Sequence, residues 1–314
     1  MKRHISKILA IAITLIALTP KFTNASHLQG AEVTYACVSP NVYLIYYKVY
    51  RDCSGLSIPA TATVNLRSPG CNTGRSVNMT MVGSPQIGNF YCPQLGPPVC
   101  TMNGNPNFES ALFAATVTFS VAEQACPDWI ISWKGDFRPS TANLARVADL
   151  YNEAYLNLSP GINNSSPQFN NLAVPYVNKY QPILISSGAI DPDGDSLVYS
   201  LEPSLSDVNT IIPYAIINYP AGFSIVNPSD STQVAIFGGS SSGYYSPNFP
   251  MASFFVDWNQ PAPWYALQSF ILDPNHGSLA FTPSVFNANT ISSQGRNKYA
   301  LVVKVDEFRR INGV

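Results

Sequence analysis

Charge is scarce in this chain: 11% of its 314 residues are Asp, Glu, Lys or Arg, where an ordinary soluble domain carries roughly 25%. Four of the 17 basic residues (Lys2, Arg3, Lys7 and Lys21) and none of the 18 acidic ones fall in the first 25 positions, leaving 13 against 18, a net of −5. That balance offers no basic surface to a phosphate backbone, so nucleic acid is not an expected partner. Histidine is nearly missing as well: beyond residue 25 only His27 and His276 remain, and no CxxC pair occurs, which disfavours zinc. No apolar run past that point nears the roughly 18 residues a membrane-spanning helix needs, and no transmembrane segment is expected. Helical periodicity is also almost absent.

The first 25 residues have the form of an export signal. Lys2, Arg3 and Lys7 precede an apolar Ile8 to Leu18, and Thr23-Asn24-Ala25 offers a small-residue cleavage site. The expected product is secreted or held at the cell surface. Its six cysteines, Cys37, Cys53, Cys71, Cys92, Cys100 and Cys126, all lie in the first half, and in an oxidising compartment they predict up to three disulfides. Cys92 with Cys100 is the favoured pair, because PQLGPPV between them is a short Pro/Gly loop. Cys37 with Cys53 is disfavoured. If the chain turns near Ser39 to Asn41, Cys53 lies at the far end of the next strand, roughly 30 Å away at ~3.3 Å per residue.

Short apolar and aromatic runs separated by turn residues predict an all-β chain. Expected strands include Ala31 to Val38, Val42 to Arg51, Ala60 to Leu66, Leu112 to Val121, Trp129 to Trp133, Ser196 to Leu201, Ser278 to Phe281 and Tyr299 to Asp306. Ala142 to Tyr155 gives mixed helix and strand signals. The uncharged run Ser159 to Asn171, SPGINNSSPQFNN, marks a boundary. The expected organisation is a signal at 1–25, a disulfide-containing Ig-like domain at 26–165 and a cadherin-like β-sandwich at 166–314. That second sandwich is expected to carry a long insertion at about 203–265 and to lack its last strand.

The strongest candidate site is GAIDPDGDSLVYSL, Gly188 to Leu201. Pro192 and Gly194 shape a turn that gathers Asp191, Asp193 and Asp195, and oxygen ligands at alternate positions suit calcium. An EF-hand is disfavoured: Glu202 falls at its twelfth place, but Ser196 occupies the glycine place and LVYSL alternates as a strand. Asp306 or Glu307, from a later strand, is the expected partner. A polar turn with solvated carboxylates remains the alternative. Calcium is the one cofactor expected.

Other constellations are weaker. Gly239 to Gly243, GSSSG, matches a hydrolase elbow only by pattern, since YYSPNFP follows where a helix is needed. Trp129 and Trp133 read as core. Trp258, Trp264 and Tyr265, in the Pro-rich WNQPAPWY, are candidates for stacking on a ligand. Arg51-Asp52 and Asp136-Phe137-Arg138 read as surface or inter-loop ion pairs.

Several segments together carry a resemblance. SHLQGAEVTYACV with VYLIYYKVYRDCSG (Ser26 to Gly55), CPQLGPPVC (Cys92 to Cys100), AIDPDGDSLVYSL and YALVVKVDEFR resemble large secreted Bacteroidetes surface proteins with Ig-like, PKD-like or cadherin-like modules. These often end in a gliding-motility-associated sorting domain. The second half looks like putative-Ig or dystroglycan-type cadherin domains, in which the D-P-D-G-D turn is often assigned to calcium. The resemblance implies export through the type IX system. The expected function is a non-catalytic module for adhesion or structural spacing, with a protein or glycan ligand at the cell surface. The alternative is a carbohydrate-binding accessory to an exported polysaccharide-degrading enzyme.

Overall fold

The computed structural model describes residues 28–309 except 54, 89–99, 101–106, 136–137, 171–175, 218–224, 227–232, 238–242, 258, 260, 262–264 and 288–296. The described chain is almost wholly β, with antiparallel pairing dominant. β1 (Leu28–Ser39) and β2 (Val42–Asp52) form a long hairpin. Asn41 turns it with φ of 64°, a conformation asparagine tolerates better than most side chains. Next come β3 (Thr61–Ser68), β4 (Thr73–Met81), β5 (Gln86–Ile87), β6 (Phe108–Thr118), the one-turn helix α1 (Val121–Gln124), β7 (Asp128–Gly135) and β8 (Leu150–Asn157). Their hydrogen-bonded order is β1-β2-β6-β4-β3-β7-β8, with β5 added beside β6.

This single sheet curls until its outer strands meet. Asn152 Nδ2 of β8 donates to the Ala31 carbonyl of β1 at 2.9 Å, and the Tyr35 hydroxyl donates to the Tyr155 carbonyl at 2.7 Å. The period of two along β2 sends Tyr43, Ile45, Tyr47 and Val49 inward, where all four are buried. Tyr47 stacks on Trp133 with ring centroids 4.5 Å apart and on Phe113 at 5.7 Å, while Phe119 meets Trp129 edge to face at 5.1 Å. Each such side chain contributes about 1.5–3 kcal/mol by leaving water. Leu112 to Val121 is strand only as far as Thr118. Ser120 and Glu123 then close a capping box, and Val121 begins α1.

Two disulfides staple this sheet: Cys53 to Cys100 and Cys71 to Cys126. The favoured Cys92–Cys100 pair is therefore overturned, with Cys100 taken by Cys53 and Cys92 outside the described residues. The physical reason is register. β2 and β6 run antiparallel with Asp52 opposite Phe108, so Cys53 emerges beside the approach to β6, its amide donating to the Asn107 carbonyl at 3.1 Å. Cys37 sits opposite Tyr43 at the turn end of the hairpin and is free. Distance forbids its bonding to Cys53, as the strand arithmetic requires.

The second half is built of smaller sheets. Strand Ile183–Ser186 pairs with Ser278–Phe281, which pairs with Phe270–Leu272. Ser196–Leu201 pairs with Val303–Phe308. The expected insertion carries Ile225–Val226, Gln233–Phe237, Phe254–Phe255 and the start of Tyr265–Gln268, joined in one sheet with a parallel step between Gln233–Phe237 and Tyr265–Gln268. Ile217, Tyr245, Phe249, Ala252, Phe254 and Ala266 make its core.

The halves meet through several contacts. Leu144, Ala148 and Ile212 form a small apolar cluster, and Leu144 bridges Tyr214. Asn143 exchanges two hydrogen bonds with Ala300, at 2.7 and 2.9 Å. Of the two expected surface or inter-loop ion pairs, Arg51-Asp52 is corrected here, since each residue is buried and takes another partner, while Asp136 and Phe137 lie outside the described residues. Arg51 is buried and pairs with Glu109 at 2.7 Å, and buried Asp52 accepts from Lys298 Nζ at 2.8 Å. No helix of the described residues is long and apolar enough to cross a membrane.

Candidate functional site

The Asp191 turn is built by its first carboxylate. Asp191 Oδ1 accepts the amides of Asp193 at 2.8 Å and Asp195 at 3.1 Å, folding the chain over Pro192. Gly194 closes it with φ of 82°, in the left-handed region where glycine is favoured. Ser196 then enters its strand opposite Phe308, with Leu197 opposite Glu307. Continuing that register by one step sets Asp195 against Arg309.

Arg309 serves as an internal cation for the turn. Its Nε lies 2.8 and 3.0 Å from the two oxygens of Asp195, and Nη2 lies 2.7 Å from Oδ2. Nη2 also approaches Asp193 Oδ2 at 3.4 Å, while Nη1 donates to the Asn163 carbonyl at 3.0 Å. Asp193 accepts the Ser165 amide at 2.6 Å. The Ser159 to Asn171 run, expected as a boundary, thus docks locally. Ser166 Oγ accepts the Tyr35 amide at 2.8 Å, the Ser166 amide returns to the Tyr35 carbonyl at 2.9 Å, and Ser165 Oγ accepts from Cys37 at 3.1 Å.

The guanidinium leaves part of the negative charge unanswered. Asp191, Asp195 and Glu307 bring one oxygen each within 4.8 Å of one another. Asp191 Oδ2 and Asn164 Oδ1 are buried without a hydrogen-bond partner. Burial, then the hydrogen bond to Asp195 and the charge of Asp191, push the Glu307 carboxyl up to about 7, while the Asn164 amide opposes the rise. Arg309 holds Asp195 below the ordinary carboxylate range. The expected partner Asp306 is not part of this group. It faces outward opposite Val198 and pairs with Lys304 at 2.9 Å, since one step along a strand reverses the face. Glu307 supplies the inward carboxylate.

The donor set fits a hard cation in kind. Asp191 Oδ2, Asp195, Glu307 and Asn164 Oδ1 are all oxygens, against the roughly six to eight that calcium takes, water completing the shell. Arg309 competes for Asp195. Asp193 is committed to Ser165 and Arg309, away from the cluster. Arg309 and Asn164 escaped sequence reasoning. A continued strand register would have signalled Arg309; nothing local marks Asn164.

Glu307 carries a pH prediction. A carboxyl raised from 4.5 to about 7 on folding stabilises fully below 4.5 and loses that contribution as pH rises through 7. Stability should therefore fall across this window, and Glu307→Gln should flatten the fall and gain relative to wild type at pH 8. Urea midpoints at pH 5 and 8 check it; equal slopes in both proteins would refute the assignment.

Most of the other candidates fall outside the described residues. Trp258 and Trp264 lie outside the described residues. Tyr265 opens strand Tyr265–Gln268, its backbone opposite Ala235, rather than sitting on a loop tip. His276 Nδ1 lies 2.8 Å from Asp273 Oδ2 in an exposed turn, and residues 238–242 of the serine run are outside the described residues. Comparison with protein-family models, with curated proteins and with solved structures gives no match.

Proposed function

We propose that the chain is a non-catalytic extracellular β module, Ig-like in its first half and cadherin-like in its second, whose work is structural spacing of the surface it belongs to. The observation that carries this reading is the clasp at Asp191 to Asp195. One turn ties the last described strand, through Arg309, to the 163–166 segment laid along β1. A module that bears load between neighbours needs its halves fixed, and this clasp fixes them. The two disulfides support residence in an oxidising compartment.

Calcium is the cation proposed for the cluster, where it would stiffen the clasp. At a free concentration ten times its Kd it should stabilise by about 1.4 kcal/mol if only the folded state binds. Asp191→Asn should abolish the gain, because Asp191 supplies the unpartnered oxygen. Thermal unfolding in calcium and in chelator is the measurement, and identical melting temperatures would sink the calcium claim. The spacer reading has its own test. A screen against glycans, matrix proteins and whole cells should show no binding; a saturable ligand would replace spacing with adhesion.

A further inference from the structure

Among the described residues the fold buries two arginines and treats them differently. Arg51 is 6% exposed and has Glu109 at 2.7 Å. Arg138 is 7% exposed, follows β7, and is held by its own amide on the Ala148 carbonyl at 3.0 Å. Its Nη1 donates to Ser204 Oγ at 3.1 Å, and Ser204 is itself 1% exposed. That hydroxyl is the one acceptor its side chain meets among the described residues. Its Nε is buried without a partner, and no described carboxylate pairs with it. Burial pushes the guanidinium down to about 10, and the ionisable group acting on it is the Tyr214 phenol. The Ser204 amide binds that phenol in turn.

A guanidinium offers a bidentate fork along its Nε and Nη2 edge, matched to a planar two-oxygen anion. Here Ser204 takes Nη1 and leaves that edge without an acceptor among the described residues. Burying an unpaired charge is costly, and an anion on the fork removes the cost. With a single cation present, a monoanion leaves the site neutral, whereas a dianion would leave a buried negative charge. We propose that Arg138, with Tyr214 in the same cluster, forms a site for one carboxylate group of a small organic acid, at the seam where the loop after β7 meets Ser204.

The test uses acetate on the full chain. Sodium acetate should raise the melting temperature saturably above sodium chloride at equal ionic strength. Arg138→Lys, which keeps the charge and loses the fork, should weaken the apparent affinity by about tenfold or more. Arg138→Met should abolish the response. If Arg138→Met fails to fold, calorimetric titration of the wild type decides: saturable acetate binding displaced by formate is expected. No saturation by roughly 100 mM, far weaker than a millimolar site, would overturn the proposal. Inorganic phosphate binding in place of acetate, or an undiminished acetate shift in Arg138→Met, would overturn it too.

Discussion

Replacing Cys71 and Cys126 together by alanine should cost about 4 kcal/mol of stability, from the loop entropy the crosslink removes from the unfolded chain. The bond closes 55 residues, joining the turn between β3 and β4 to the chain just after α1. Its surroundings persist without it. Asp128 still accepts from Ser68 Oγ at 2.9 Å and from the Gly70 amide at 2.8 Å, and Trp129 Nε1 still donates to the Cys126 carbonyl at 2.9 Å. The variant should therefore fold to the same structure with a lower urea midpoint and a steeper dependence on denaturant, because the unfolded chain freed of the crosslink exposes more surface. Cys37→Ser, at a free thiol near the hairpin turn, serves as control and should shift stability by less than about 0.5 kcal/mol. A double variant as stable as wild type would mean that the bond does not form in the folded protein.

The disulfides also show what sequence reading reaches and where it stops. Strand positions were legible where a long period of two was carried by apolar side chains. Val42 to Arg51 is the clear case, and β2 spans it. β4, RSVNMTM at its heart, was not. Its alternation is confined to Val77, Met79 and Met81, of which only Met79 is fully buried, and it follows the polar stretch from Thr73 to Ser76; that signal is too short to read, and the segment is a strand because β3 and β6 flank it. Pairings between distant strands were invisible for the same reason. Nothing local sets Asp52 opposite Phe108, so the short Cys92 to Cys100 loop looked better than the 47-residue span that is bonded. In the candidate site the turn was legible, because proline, glycine and alternate carboxylates are local signals. Its completion by Arg309 was not, since 114 residues separate Arg309 from Asp195.

Arg309→Met is the other large effect. Asp195 has a side chain 9% exposed and takes three short charged contacts from that guanidinium. Removing one partner of a buried pair costs about 3–5 kcal/mol. Arg309 is 27% exposed, so solvent screens part of the interaction, and a loss of about 2–3 kcal/mol at pH 7 is expected. The pH dependence should change with it. In wild type, Arg309 lowers the Asp195 carboxyl below 3.8, a contribution present above that pH and lost as pH falls through the lowered value. Without the guanidinium, Asp195 faces Asp191 and Glu307 within 4.8 Å. Like charges favour the protonated form, so the variant should gain stability as pH falls from 7 to 5, more steeply than wild type. Calcium should then restore more stability to Arg309→Met than it adds to wild type, because the cation no longer competes with a guanidinium for Asp195. Chemical unfolding at pH 5 and 7, with calcium and with chelator, measures all three effects. A variant that loses stability at pH 7 and ignores calcium would leave the clasp held by arginine alone, and one that loses none would show that solvent, not Arg309, neutralises the turn.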